Sequence, residues 1–388
     1  MRYIGNKSKL LNFITDFLDD LELDEGRAFD AFSGTATVGR FLKERGFSVE
    51  SCDVMAFSHA YQMAYIVVDD QPRFQEVRND TDFLAARATK DFASTVESRF
   101  PQQEDLFSDI SAEIRPLEEV FVYLDSYLPP CSSFITKNFS APVDGASGDQ
   151  RMYFTEPNAR RIDAIRTKIE EWKDDGVLSE HEYFVLLARL LEAADSVANT
   201  TGVYAAYVKK WQGNALRPLR LTPPPLVVGT GRDCQAHLGK VNEIVENLGP
   251  FDLLYLDPPY NTRQYGSYYH VPEVIAKGWF DQIPELRGKT GLIPDEHTKS
   301  AWSTRNGCVP ALEELIRQIN TKHVLMSYNS EGIIPEADIE RIFTTYGDPT
   351  TFRRVDMHYK RYRSDSDSNE RKYKGDVVTE MLYYTRIR

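Results

Sequence analysis

The residues with the clearest chemical content are Asp257, Pro258, Pro259 and Tyr260, which follow the apolar run Leu253-Leu254-Tyr255-Leu256. The run reads as a buried parallel strand. Proline fixes φ and lacks a backbone donor, so the pair ends the strand and holds Asp257 and Tyr260 rigidly at its carboxyl end, where open α/β sheets place their ligands. A carboxylate and backbone carbonyls that accept from an exocyclic amine, beside a ring able to stack on a planar base, suit chemistry on a nucleobase amino group. The plain alternative is an Asp-Pro-Pro turn with a core tyrosine.

Such a site needs a second strand-and-turn unit to hold a co-reactant. Residues Arg27 to Phe32 read as a strand, and Ser33-Gly34-Thr35-Ala36 as a tight turn entering a helix, an arrangement that lets a ligand lie against backbone amides. An acid at the strand end, Asp30, would repel a pyrophosphate but pair with an ammonium. Phe47 to Asp53 reads as the next strand, ending in a carboxylate where a ribose hydroxyl is usually held. Together these carboxylates suggest a nucleoside with a cationic tail, S-adenosylmethionine; a generic βαβ crossover is the alternative. Upstream, a flexible Gly5-Asn6 turn could present Tyr3 and Lys7 to a ligand, or simply start the helix that the spacing of Leu10, Phe13, Ile14 and Phe17 implies.

With 388 residues, 41% hydrophobic and 27% charged, the chain has room for a large α/β domain with an insertion, or for two domains. No run approaches the ~18 apolar residues of a membrane span, and the first residues lack the apolar core of a signal peptide. Cys52, Cys131, Cys234 and Cys308 are scattered without a Cys-x-x-Cys pair, which fits reduced thiols and predicts a cytoplasmic protein with no membrane partner and no metal. The formal charge of −13 opposes a polyanionic partner overall. Locally, Lys209, Lys210, Arg217 and Arg220 occur without an acid between Ala205 and Thr222, and eight basic residues stand against four acidic ones from Arg353 to Lys374. A charge run can equally be a solvated face.

From about Phe83 to Pro225 the pattern changes. Phe92 to Asp109 and Pro129 to Gln150 are polar and turn-rich, whereas Glu156 to Thr200 is helical, with Ile162, Ile165, Ile169 and Trp172 on one face and a break at Asp174-Asp175-Gly176. Pro223-Pro224-Pro225 closes the insertion, and Leu226-Val227-Val228 is expected to return the chain to the sheet. Asn199, Thr200, Thr201, Lys209, Lys210 and Arg217 combine polar and basic groups around aromatic residues as a nucleic-acid surface would, or form a glycine turn between core helices. Asn261 to His270 reads as a loop over a bound base, with Arg263 and Tyr265 as contacts; His270 suits packing or a phosphate better than catalysis. Beyond it we expect helices at Leu312 to Ile319 and Ile339 to Phe343, a strand at Val324 to Tyr328, and an edge strand at Val377 to Tyr384. Lys360, Arg361 and Arg363 form a basic stretch before a segment, Ser364 to Arg371, polar enough for disorder. The acids near Pro294 to Lys299 lack the second element of a nuclease site, which argues against a built-in endonuclease.

With Asp257-Pro258-Pro259-Tyr260 following these motifs, the sequence resembles the Dam-like, alpha-ordered adenine-specific DNA methyltransferases over its first eighty or so residues and from about Val227 onward. The resemblance implies a doubly wound, Rossmann-like α/β methyltransferase sheet formed by residues 1–82 and 226–388, with 83–225 as a mainly helical inserted target-recognition region. It implies that Tyr3, Lys7, Asp30, Phe32, Ser33, Gly34, Thr35 and Asp53 bind S-adenosylmethionine, that Asp233 and Cys234 lie near its adenine (Asp80 or Asp82 competing), and that Asp257 to Tyr260 are catalytic, with Asp257 also near the cofactor. Where the family often has glycine, this chain has Ala36. The implied reaction is methyl transfer to the exocyclic N6 amine of adenine in flipped-out double-stranded DNA, with a separate restriction endonuclease as a possible partner. Methylation of a cytosine amine uses the same geometry, and a DNA-binding protein that keeps the fold without turnover is the reading from another class. Nothing in the sequence sets an oligomeric state.

Overall fold

A computed structural model describes residues 2–3, 5–101, 111–144, 148, 150–294, 296–360 and 377–388. The chain forms two compact units. One comprises Tyr3–Gln62, Arg232–Tyr268 and Asp295–Arg388; the other comprises Met1–Arg2, Met63–Gly231 and Tyr269–Pro294. The chain therefore crosses between units at five peptide bonds.

The first unit is built on a seven-stranded sheet with strands β1 (Gly26–Asp30), β2 (Phe47–Asp53), β3 (Gln235–Leu238), β4 (Phe251–Leu256), β5 (Thr321–Asn329), β6 (Arg353–Lys360) and β7 (Val377–Arg386). Their order is β3-β2-β1-β4-β5-β7-β6; the first five in that order are parallel, and β7 runs antiparallel to both its neighbours. Central parallel strands are covered on both faces and so read as continuous apolar runs, which is why β4 was legible: Phe251 and Leu253 to Leu256 are all buried. Helices Cys308–Gln318 and Glu336–Tyr346 cover part of this sheet, and Leu312, Leu315, Ile339 and Phe343 join Leu254, Val324 and Met326 in one core.

Two expectations about strands fail. Leu226 to Val228 forms no strand; the short, polar β3 lies several residues later, at the sheet edge. The strand from Val377 is not an edge strand, because β6 pairs outside it. Both true edges are polar in sequence, Gln-Ala-His-Leu and Arg-Arg-Val-Asp-Met-His-Tyr-Lys, as edges protected against further pairing usually are, and so carry little hydrophobic signal.

The second unit is mainly helical and takes in 63–82 and 269–294 besides 83–225. Helices Glu156–Asp174 and Glu180–Ser196 bury Ile162, Ile165, Ile169 and Trp172 on the first and Val185 to Leu191 on the second. Ser179 and Glu182 cap the second helix reciprocally: the Glu182 N–H donates to Ser179 Oγ at 3.3 Å, and the Ser179 N–H to Glu182 Oε2 at 3.0 Å. The stretches expected to be turn-rich also hold helices Phe92–Arg99 and Phe134–Phe139. The latter is fixed by a distant partner, because Asp163 accepts the N–H groups of Ser133, Ile135 and Thr136 at 2.7–2.9 Å. Arg166, fully buried, donates to the carbonyls of Ile275 (2.7 Å) and Ala276 (3.3 Å) on helix His270–Lys277 and pairs with Glu170 at 2.7 Å. Among the described residues no helix is long and apolar enough to cross a membrane.

Candidate active site

Strand β4 sits at the centre of the sheet and delivers Asp257 to its carboxyl end. The Tyr260 phenol donates to Asp257 Oδ1, and the Lys7 ammonium lies 3.1 Å from the same oxygen while also contacting the phenol. Both partners thus fall on Oδ1, and among the described residues Oδ2 carries no hydrogen bond. Lys7 is 3% exposed and stands 3.4 Å from Glu380 Oε2 on β7; the other Glu380 oxygen accepts from Asn329 Nδ2 at 3.1 Å. Burial pushes the Asp257 carboxyl up to about 6, with the Lys7 charge and the Tyr260 hydrogen bond pulling it down. The Tyr260 ring packs edge-on against Tyr328 at 5.4 Å, so here it is turned toward the core.

A cleft of about 760 Å³ opens beside Asp257, lined by Phe32, Asp53, Met55, Lys240, Tyr265 and Trp302 among others. A smaller cavity of about 290 Å³ is lined by Lys7, Asp30, Ser33, Gly34, Thr35 and Tyr255. Asp257, Tyr3 and Phe32 line both.

The smaller cavity has an electrostatic deficiency. Asp30 is 1% exposed and, among the described residues, neither of its oxygens makes a hydrogen bond; burial pushes its carboxyl up to about 7, with the nearby Ser33 hydroxyl and Gly39 N–H pulling it down. Among the described residues the buried Ser33 hydroxyl also makes no hydrogen bond. An unsatisfied buried polar group costs about 1–3 kcal/mol, which a ligand ammonium would relieve. The turn above it is shaped by close contacts: Gly34 has φ +54, and a Cβ there would come within 2.9 Å of the Tyr3 ring. The Gly34 N–H donates to Asp53 Oδ2 at 3.0 Å and the Met55 N–H to Oδ1 at 2.9 Å, while burial raises the Asp53 pKa. The Thr35 hydroxyl meets Asn6 and Thr37. Ala36 adopts φ +57 at the N-cap of helix Thr37–Arg45, a left-handed conformation that costs a non-glycine residue roughly 1 kcal/mol. A cavity that holds a buried carboxylate, beside a larger cleft with aromatic walls, fits S-adenosylmethionine.

Other residues expected in the site lie elsewhere. Asp233 is exposed and Cys234 buried, and both precede β3, at the opposite end from the cleft. Gly239, Lys240 and Val241, after β3, line the cleft instead; the misplaced strand at 226–228 made Asp233 look like a strand-end acid. Asp80 caps helix Thr81–Arg87 and accepts the Trp172 indole N–H at 3.1 Å in the helical unit. Asn199 and Thr200 are fully buried. Asn199 Nδ2 donates to the carbonyls of Met152 (3.0 Å) and Val208 (2.8 Å), and its Oδ1 accepts the Gln212 N–H at 3.0 Å. It is a bracing residue with no face for DNA. Thr201, Lys209, Lys210 and Arg217 are exposed on that unit. Arg263 is exposed, its guanidinium 5.5 Å from the Tyr268 ring, whereas Tyr265 lies against Tyr3 at 5.8 Å in the cleft. His270 is buried against Phe139 and Tyr153. Lys360 ends β6, and Arg361, Arg363 and Ser364 to Arg371 lie outside the described residues.

Sequence reasoning missed Glu380, Asn329, Met55, Lys240 and Trp302. A correctly placed β3 would have pointed to Lys240. Nothing local marks Glu380, which is 373 positions from Lys7.

A family model for D12 class N6 adenine-specific DNA methyltransferases matches residues 3–342. The chain is 31% identical to the type II methyltransferase M.NlaIII of Neisseria lactamica over 386 residues, 99% of this chain and 98% of that one. It is 33% identical to the type II methyltransferase M.FokI of Planomicrobium okeanokoites over 386 residues and to the modification methylase LlaI of Lactococcus lactis subsp. lactis over 391, in each case 99% of this chain. It spans about half the length of those two relatives, 52% and 54%.

Proposed function

Because the chain belongs to the D12 class N6 adenine-specific DNA methyltransferases, which take their methyl group from S-adenosylmethionine, we propose that it methylates adenine in double-stranded DNA with Asp257 as the group that receives the target amine. The observation that carries this reading is the place of Asp257: it lines both cavities, with Oδ1 tied to Lys7 and Tyr260 and Oδ2 open.

Asp30 would hold the ammonium of the methyl donor, Asp53 its ribose hydroxyls, and Tyr3 with Phe32 the region between. When bound, S-adenosylmethionine supplies a methyl group on a cationic sulfur. The chain supplies position. The lone pair of an adenine amine is delocalised into the ring, so Asp257 and the Pro258 carbonyl accept its hydrogens, favour a pyramidal nitrogen and aim the lone pair outward. Orientation of this kind is a major source of rate. The base must leave the helix at a cost of a few kcal/mol, and stacking on Tyr260, once its phenol releases Asp257, would offset about 1–3 kcal/mol.

The exposed Thr201, Lys209, Lys210 and Arg217 of the helical unit are our candidates for reading the site, while Arg361 and Arg363 would hold phosphates; phosphate contacts position a protein and base contacts specify the sequence. Because its cysteines are scattered without a Cys-x-x-Cys pair, as reduced thiols usually are, we place the protein in the cytoplasm, acting beside a restriction endonuclease of the same specificity.

A radiolabelled-methyl assay on mixed DNA tests the central point. Asp257→Ala should lower transfer by about a thousandfold or more while cofactor binding persists. Near-normal turnover in that variant would sink the assignment. Mapping modified bases tests the rest: Arg361→Ala with Arg363→Ala should weaken methylation at all sites alike, and altered specificity from that pair would place recognition elsewhere.

A further inference from the structure

The Lys7 ammonium, which also borders the smaller cavity, is shared among two carboxylates and a phenol. It stands 3.1 Å from Asp257 Oδ1 and 3.4 Å from Glu380 Oε2, at 3% exposure. Glu380 is itself 3% exposed and is held from its far side by Asn329, so it cannot turn to solvent without breaking that bond. The result is a chain of groups, Asn329, Glu380, Lys7, Asp257, which runs from the ends of β5 and β7 to the reacting carboxylate. An ammonium without a counter-anchor could swing across Asp257 and cover both oxygens; drawn toward Glu380, it engages Oδ1 and leaves Oδ2 uncovered.

We propose that Glu380, acting through Lys7, is a positioning residue that fixes the Asp257 carboxylate with Oδ2 presented to the target amine. This rests on the reading of Asp257 as the amine acceptor. Glu380 touches neither substrate nor donor in this scheme; it sets where Lys7 sits and how much of its charge Asp257 feels.

The two partners act on Asp257 in opposite directions. Lys7 favours its ionised form, and Glu380 disfavours it. The other groups that face the pair are the Tyr260 phenol, which stabilises the carboxylate by hydrogen bonding, and Asp30 and the Tyr255 phenol, which share the buried region.

Single-turnover methyl transfer measured across pH, with cofactor affinity by titration calorimetry and a thermal unfolding midpoint for each variant, tests the inference. Lys7→Met should move the acid limb of the profile up by about one pH unit and slow transfer roughly tenfold at neutral pH, with cofactor affinity within about threefold of wild type. Glu380→Gln should move the acid limb down, in the opposite sense, and slow the plateau severalfold as Lys7 loses its anchor. Glu380→Asp, which keeps the charge, should restore the wild-type limb and remains informative if the glutamine variant folds poorly. Unmoved acid limbs in Lys7→Met and Glu380→Gln would overturn the inference. So would a loss of cofactor affinity in Lys7→Met that matches its loss of rate, because Lys7 would then be a cofactor ligand. Asp257→Asn is the separate control: full turnover there removes the amine-acceptor reading itself, whatever the other variants do.

Discussion

Three buried polar side chains of the helical unit and two of the sheet unit are used in opposite ways. In the helical unit Asn199, Asp163 and Arg166 are fully buried with well-defined partners: Asn199 makes three hydrogen bonds to backbone, Asp163 accepts three backbone N–H groups, and Arg166 meets two carbonyls and a carboxylate. In the sheet unit, among the described residues, equally buried Asp30 makes no hydrogen bond, and Asp257 has one oxygen occupied and one open. Burial alone therefore says little about role. A closed set of hydrogen bonds marks a brace, and an open one marks a place for something that arrives later.

The contrast can be tested from its strongest side first. Asn199→Ala removes three hydrogen bonds and strands buried backbone groups, so it should destabilise the protein by about 3 kcal/mol, seen as a lower midpoint in chemical denaturation. A variant that unfolds like wild type but loses methylation would show that Asn199 is a contact residue after all.

Asp30→Asn should do the reverse. Without a charge to bury it should leave stability unchanged or slightly raised, while S-adenosylmethionine affinity falls roughly tenfold to a hundredfold, the worth of a hydrogen bond to a charged group. Calorimetry decides it. Equal affinity for wild type and variant would mean that the cavity around Asp30 holds something other than the ammonium.

A smaller effect follows from pH. The Asp30 carboxyl is pushed up to about 7 in the folded protein, above its ordinary value near 3.9. The ligand-free native state thus holds a proton that the unfolded chain has lost, and stability should fall as pH rises from about 4 through 7, by up to a few kcal/mol. Cofactor binding should run the other way, tightening by about fivefold between pH 6 and 7 as Asp30 ionises to meet the ammonium. Asp30→Asn should flatten the binding curve and reduce the slope of the stability curve, to which Asp257 and Asp125, also raised to about 6, still contribute; two unchanged curves would assign the proton to another group.

The smallest expected change concerns the turn itself. Ala36 holds a left-handed conformation, and Ala36→Gly should stabilise the protein by about 0.5–1 kcal/mol, since glycine adopts that region without the Cβ clash but gains freedom when unfolded. A lower unfolding midpoint would show that the methyl group's packing outweighs its strain.

The same division explains what the sequence could reveal. The strand ending at Leu256 and the turn after Asp30 were legible because apolar runs, prolines and glycines act locally. The edge strands were not, since Gln235–Leu238 and Arg353–Lys360 are polar, and the misplaced third strand carried the Asp233 assignment with it. Asn199 was misread because its composition matches a nucleic-acid surface, whereas its partners Met152, Val208 and Gln212 are supplied by the fold. Glu380 was missed because its meaning depends on Lys7, at the other end of the chain. Local chemistry is written in neighbouring residues; closure or openness is a property of distant ones.

The interleaving of the two units in the chain bears on how the helical unit, if it reads the site as proposed, could be exchanged between related enzymes. A graft of 63–231 alone would leave 269–294 behind, and with it the Ile275 and Ala276 carbonyls that receive the buried Arg166 guanidinium. Unless the incoming segment happened to match the resident helix, a buried cation would lose its acceptors, a loss severe enough to prevent folding. A working chimera should therefore carry both segments from the same donor, so that the exchangeable part of this enzyme is two cassettes inherited together.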